Sequence, residues 1–226
     1  MPQPLYFKAK DANVLCDISA LDHRPELAIL IAKVVSAWAQ LEGSLGNLLA
    51  RMIDAQSPTD IDQYDLSSMN RIFDALDAAA AKAARKPEYL ELYQAIRPAI
   101  TSLYKRRNAI AHRIWCYSDD VPDGLILTDP DDLLQFTLAF NETIGDRDAV
   151  RHLFNDLRKT KMLVYYRSDF EKAITDILTM SGHLVFLGFV LSPRWRWPDE
   201  QYQRLCNEPD IQAFLSQWRE RQKNNP

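Results

Sequence analysis

The sequence predicts a mainly α protein, a helical bundle with a small β-rich insertion before its last long helix. Three observations lead there. Apolar residues recur at alternating steps of three and four over long stretches, the period of a core-facing helix. The 226 residues include only 6 Gly, too few for a turn-rich all-β chain. Between about 113 and 166 the helical period gives way to short runs rich in β-branched and aromatic residues, which read as strands. At 47% apolar the chain can bury a sizeable core, and its length suits one domain with extensions. The expected organisation is an N-terminal arm at 1–24, a helical bundle over 25–192 containing the insertion at 113–166, and a C-terminal extension with a short helix at 193–226.

Residues 1–24 show no clear period, and Pro2 and Pro4 suggest an extended arm. Pro25, with Glu26 beside it, opens a long helix. Its stripe of Leu27, Ile31, Val34, Trp38, Leu41, Leu45, Leu48 and Met52 is widened by Leu30, Val35 and Ala37, which favours a bundle helix over a coiled-coil seam. Ser57-Pro58-Thr59-Asp60 is a stop and restart. A second stripe, Leu66, Met69, Phe73, Leu76, Ala80 and Ala83, follows it. Lys86-Pro87-Glu88 begins a third helix that runs to about His112, with Pro98 expected to kink it or mark its true start.

Beyond His112 the sequence predicts strands at 113–117 and 125–128 around a turn-rich 119–124, a hairpin. Asp129-Pro130-Asp131-Asp132 reads as an acidic turn or helix start rather than a metal site. A helix at 146–157 and a third strand at 162–166 follow, the rest of 133–160 being ambiguous. Ser168-Asp169-Phe170-Glu171 has the form of a capping box and opens the last long helix, whose stripe is Ala173, Ile177, Met180, Leu184, Leu187 and Leu191. Arg194-Trp195-Arg196-Trp197-Pro198 is basic and aromatic, suited to cover the end of a bundle or to stack on bases. A short helix at 209–221 finishes the chain.

Composition bounds the function. A net charge of −4 gives no general attraction for nucleic acid, so an RNA-binding site must be a local basic patch. Cys16, Cys116 and Cys206 form no CxxC or Cys/His pattern and read as ordinary thiols of a reducing compartment. The N-terminus lacks a basic region followed by an apolar core, and the most apolar run, 184–191, is too short to span a bilayer. The expected location is cytoplasmic, with no membrane contact. His23, His152 and His183 have no partners at metal-ligand spacing, and no GxGxxG, P-loop, GxSxG or HExxH motif is present. No metal and no cofactor is implied.

One stretch breaks the helical pattern. The third-helix stripe runs Ile96, Ile100, Leu103, then Arg107, then Ile110 and Ile114, so a guanidinium stands where an aliphatic side chain belongs. Tyr104, Asn108 and His112 share the adjoining strip at steps of four. Arg107 and His112 diverge by roughly 140° and about 7.5 Å of rise, and share no face of an ideal helix. Glu42 on the first helix is a possible acid for Arg107, or a solvated surface glutamate.

Arg107-Asn108-Ala109-Ile110-Ala111-His112 resembles the Arg, polar residue, short spacer, His signature of the HEPN superfamily, and Trp38-Ala39-Gln40-Leu41-Glu42 is similar to some bacterial HEPN-like proteins. The resemblance implies an up-and-down bundle of four to five helices. It also implies a metal-independent endoribonuclease acting as a homodimer, in which Arg107 and His112 are catalytic with Asn108 as the polar residue. Tyr104, Arg106 and Arg113 would contact the substrate and Glu42 would support the site. Implied partners are RNA, a second copy of the chain and, for a toxin or defence effector, an antitoxin or partner protein. In HEPN toxins silenced by a nucleotidyltransferase a tyrosine stands two residues after the His, where this chain has Ile114. The alternative is a non-catalytic HEPN-like dimeric interaction module, in which Arg107 and His112 would be buried or paired.

Overall fold

A computed structural model of the chain describes residues 2–224. Among them are nine α-helices and a four-stranded antiparallel sheet, the mainly helical class with a small β element that the sequence predicts. The elements in order are β1 (Gln3–Pro4), α1 (Pro25–Met52), α2 (Thr59–Asp62), α3 (Met69–Ala83), α4 (Pro87–His112), β2 (Ile114–Cys116), β3 (Gly124–Thr128), α5 (Pro130–Thr143), α6 (Arg147–Thr160), β4 (Met162–Tyr166), α7 (Arg167–Leu191), α8 (Pro198–Cys206) and α9 (Pro209–Asn224). Two compact units divide them, one of residues 2–36 and 105–175, the other of residues 37–104 and 176–224.

The first unit is built on the sheet, whose strands lie in the order β1-β4-β3-β2. β3 is central and buried at every position, which is why Leu125-Ile126-Leu127 is continuously apolar instead of alternating. The register pairs Cys116 with Ile126 and Ile126 with Val164. These side chains therefore share one face and pack with Leu5, Ala12, Val121, Leu157 and Met162. On the opposite face Trp115, Tyr165 and Phe170 form an aromatic triad, with ring centroids 5.5–5.6 Å apart. Gly124 opens β3 because a Cβ there would lie 2.9 Å from Val121 Cγ1 and 3.0 Å from Val164 Cγ1.

The helices of this unit have legible starts. Asp129 caps α5 by accepting from the Asp131 amide at 3.1 Å, with Pro130 in the first turn, so the acidic run is a helix start. Asp146 caps α6 through the amides of Asp148 and Ala149. Between them Gly145 takes φ +109, which other residues rarely adopt. Phe136 and Phe140 of α5 meet Phe154 of α6. α7 starts at Arg167, two residues before the position a Ser168 cap would require. The capping carboxylate is Asp169, whose Oδ2 accepts from the Tyr166 amide at 3.0 Å.

The cysteines depart from expectation. Cys16 and Cys116 are joined in a disulfide and only Cys206 is free. The cause is local pairing: Leu15 and Tyr117 exchange both backbone hydrogen bonds in an isolated antiparallel bridge, at 2.9 and 2.8 Å. The adjacent position is then a non-hydrogen-bonded pair with its side chains at their closest, and Cys16 and Cys116 occupy it with Cα atoms 4.1 Å apart.

In the second unit, helical segments from α1, α3, α4 and α7 supply the apolar contacts. Leu41, Leu45, Leu48, Leu76, Leu92, Ile96, Ile100 and Leu187 are all at most 1% exposed. α4 continues through Pro98 from its start at Pro87. Trp195 packs on Phe189 at 4.3 Å while Trp197 stays 56% exposed, so one tryptophan covers apolar surface and the other does not. α8 is an element the periodicity did not reveal. His183, buried, pairs with Asp210 of α9 at 2.8 Å. By length and composition alone α1 and α7 are apolar enough to cross a bilayer, with mean hydropathies of 1.2 and 1.7, a longer apolar span than the 184–191 run suggests. Both bury their stripes within the protein.

Candidate functional site

The last turn of α4 carries the residues of interest. Ile110 fixes its orientation, being 1% exposed in the core, which leaves Arg107 and Asn108 half-buried and His112 exposed at the helix end. Arg107 Nη1 donates to Asn108 Oδ1 at 3.0 Å and lies 3.3 Å from His112 Nε2. The two residues meet although their backbone positions share no helical face. The arginine stem is long enough to run along the helix to its C-terminal end, a reach that Cα geometry ignores.

The electrostatics of the cluster are specific. Arg107 forms no ion pair among the described residues, and its buried Nε has no hydrogen-bond partner. A guanidinium only donates, so its contact with Nε2 is a hydrogen bond only when that nitrogen carries a lone pair, which places the imidazole proton on Nδ1. The site thus sets a guanidinium with no ion-pair partner among the described residues beside the Nε2 of an exposed imidazole.

The turn after His112 is held by a residue the sequence reading missed. Trp115, 8% exposed, donates its indole Nε1–H to the Ile110 carbonyl at 3.2 Å, satisfying one of the last carbonyls of α4. The Arg113 amide satisfies another by donating to Ala109 O at 3.2 Å. The indole thereby ties the position of His112 to the first strand residue pairs of the sheet. A tryptophan three residues after a helix-ending histidine was the available signal.

Other expected site residues are placed differently. Arg113 pairs with Asp129 at 3.1 Å, so its charge is matched by a carboxylate. Arg106 and Arg113 both bear on Tyr165, whose phenol is pushed up by burial and held back by the two cations, which places all three in one neighbourhood. Tyr104 and Glu42 belong to the other unit. Tyr104 packs against Trp38 and Phe73 at 5.7 and 6.3 Å, and Glu42 Oε1 accepts from the Trp38 indole at 2.6 Å. Glu42 is therefore engaged with Trp38, one turn before it. No cluster of three or more His, Cys, Asp or Glu suited to a metal ion occurs among the described residues.

No protein family, curated protein or solved structure matches the chain.

Proposed function

We propose that the chain is an endoribonuclease of HEPN type that cleaves RNA by 2′-hydroxyl attack at the Arg107/His112 site. The observation that carries this reading is the 3.3 Å contact between Nε2 of the exposed His112 imidazole and the guanidinium of Arg107, which has no ion-pair partner among the described residues. Attack of a 2′-oxygen on the adjacent phosphorus needs a base for the hydroxyl proton, an acid for the departing 5′-oxygen and a cation for the charge that grows on the phosphorane. The imidazole of His112 can take up a proton at one nitrogen and give one from the other, as the first two tasks require, and the planar fork of Arg107 suits phosphate oxygens. The new P–O2′ bond forms as the P–O5′ bond breaks, leaving a 2′,3′-cyclic phosphate and a 5′-hydroxyl. Each chain brings one His112, so a homodimer would supply one imidazole as base and the other as acid. Asn108, hydrogen-bonded to Arg107, holds the guanidinium in place.

The reading is tested with a labelled structured RNA incubated with the protein in EDTA, and with the same RNA carrying 2′-deoxy sugars. Fragments ending in cyclic phosphate from the first and no cleavage of the second are expected. Intact RNA in EDTA, or cleavage of the deoxy substrate, would contradict it. The interaction-module alternative draws on Arg107 being satisfied in part within its own chain by Asn108. It predicts self-association without cleavage.

A further inference from the structure

The Cys16–Cys116 bond is the one covalent tie between β2 and a segment otherwise held by a short 3-10 turn at Ile18–Leu21 against β2 and by the partly buried Val14. The chain from Gln3 to Ala12 is well anchored: β1 pairs with β4, Leu5 and Ala12 are buried in the sheet core, and Arg158 donates to the carbonyls of Lys10 and Ala12 at 3.2 and 2.8 Å. α1 begins at Pro25. Between these anchors Leu15 is 47% and Ile18 91% exposed, and Ala20 is the only buried side chain of 13–24. Apart from the disulfide, the segment meets the 117–121 loop through the Leu15–Tyr117 pair, the Asn13 amide on Asp120, the His23–Tyr117 stack at 4.0 Å and Arg24, which caps Tyr117 and donates to the Val121 carbonyl. The two segments wall a cavity of about 310 Å³ lined by Asn13, Val14, Leu15 and His23 on one side and by 117–120 on the other.

We propose that Cys16–Cys116 is a redox latch on this cavity. Cys16 is partly exposed whereas Cys116 is fully buried, so the sulfur open to attack is Cys16 Sγ. Exposed disulfides are the labile ones, and exchange requires access to one sulfur. One thiolate of a dithiol reductant bonds to Cys16 Sγ as the Cys16–Cys116 bond breaks and Cys116 leaves as a thiolate that takes up a proton. The second thiol of the reductant then displaces Cys16, which leaves as a thiol, and the reductant ends as its own disulfide. Two electrons and two protons pass to the protein. With the bond gone, no covalent tie joins the walls, and the Leu15–Tyr117 pair, the His23–Tyr117 stack, the Arg24 contacts and the partly buried Val14 are left to hold segment 13–24, which opens as a local unit while the anchored strands stay closed.

The test uses the full chain and dithiothreitol as the dithiol, with alkylation to count thiols and amide hydrogen exchange as readout. In oxidised protein one thiol, Cys206, should label, and the Leu15 and Tyr117 amides should be protected by their mutual hydrogen bonds. After dithiol treatment without denaturant, removal of the reductant and alkylation of the protein as it is unfolded, three thiols should label. Leu15 and Tyr117 should then exchange at least about tenfold faster, with the β3 and β4 amides unchanged. The Cys16→Ser/Cys116→Ser variant should show the fast exchange without reductant. The latch is overturned by free Cys16 and Cys116 in air-oxidised protein, by a bond that yields only in denaturant, by unchanged Leu15 and Tyr117 exchange in the reduced protein, or by acceleration of all amides together.

Discussion

Replacing Trp115 with Phe isolates the tie between the sheet and the end of α4. Phenylalanine keeps an aromatic ring between Tyr165 and Phe170 but removes the indole N–H that reaches Ile110 O at 3.2 Å. The Ile110 carbonyl is then left unsatisfied at a buried helix terminus, which costs about 1–3 kcal/mol. The smaller ring leaves part of the indole volume empty. Since complete truncation of a buried aromatic costs roughly 3–5 kcal/mol, the partial loss adds about 1 kcal/mol. Together these give a destabilisation of about 2–4 kcal/mol, or a fall of roughly 1 M in the urea midpoint at a slope of about 3 kcal/mol/M. RNA cleavage should fall even at denaturant-free, fully folded conditions, because the turn carrying His112 loses its fastening. Urea unfolding followed by circular dichroism, with cleavage rates measured on the folded variant, checks both. A midpoint within about 0.2 M of wild type with undiminished cleavage would refute the idea that the indole positions His112.

Two further outcomes follow from the fold. Gly124→Ala places a methyl 2.9 Å from Val121 Cγ1, 3.0 Å from Val164 Cγ1 and 3.2 Å from the Tyr165 carbonyl. The backbone oxygen cannot swing aside, so a loss of about 1–3 kcal/mol is expected by urea titration. Tyr93 tests electrostatics in the other unit: burial, then its hydrogen bond to Asp77, holds its phenol proton well above the ordinary range. The folded group keeps a proton that the unfolded one loses, so stability is unaffected below about pH 10 and falls above it. Tyr93→Phe should flatten that alkaline decline in a pH series of thermal melts.

The parts of the fold set by short-range pattern were legible. β2, β3 and β4 fall within a residue or two of the 113–117, 125–128 and 162–166 expectations, because Ile, Leu, Val and Tyr runs bounded by turns mark a strand by composition alone, whichever partner it later pairs with. The α1, α4 and α7 stripes were legible for the same reason. What was hidden depends on distance in sequence. β1 is two residues including Pro4 and exists only because β4 offers an edge, and Cys16 meets Cys116 across 100 residues. α5 was obscured because its start, Asp129-Pro130, is also turn chemistry. At the site, the Arg107 anomaly was visible as a polar break in an apolar stripe. Its contact with His112 was not, since it depends on the arginine stem and not on the helix phase. The role of Trp115 needed the strand pairing that turns its indole back toward Ile110.

The central claim is that His112 performs acid–base chemistry on RNA beside the Arg107 cation. The direct measurement is single-turnover cleavage of a structured RNA in EDTA by wild type, His112→Ala and Arg107→Lys, each checked for helical content and self-association. Wild-type cleavage, a loss of at least ~10²-fold in His112→Ala and a clear loss in Arg107→Lys, all with the fold retained, are the predicted results. A folded His112→Ala protein that cleaves at the wild-type rate would contradict the assignment.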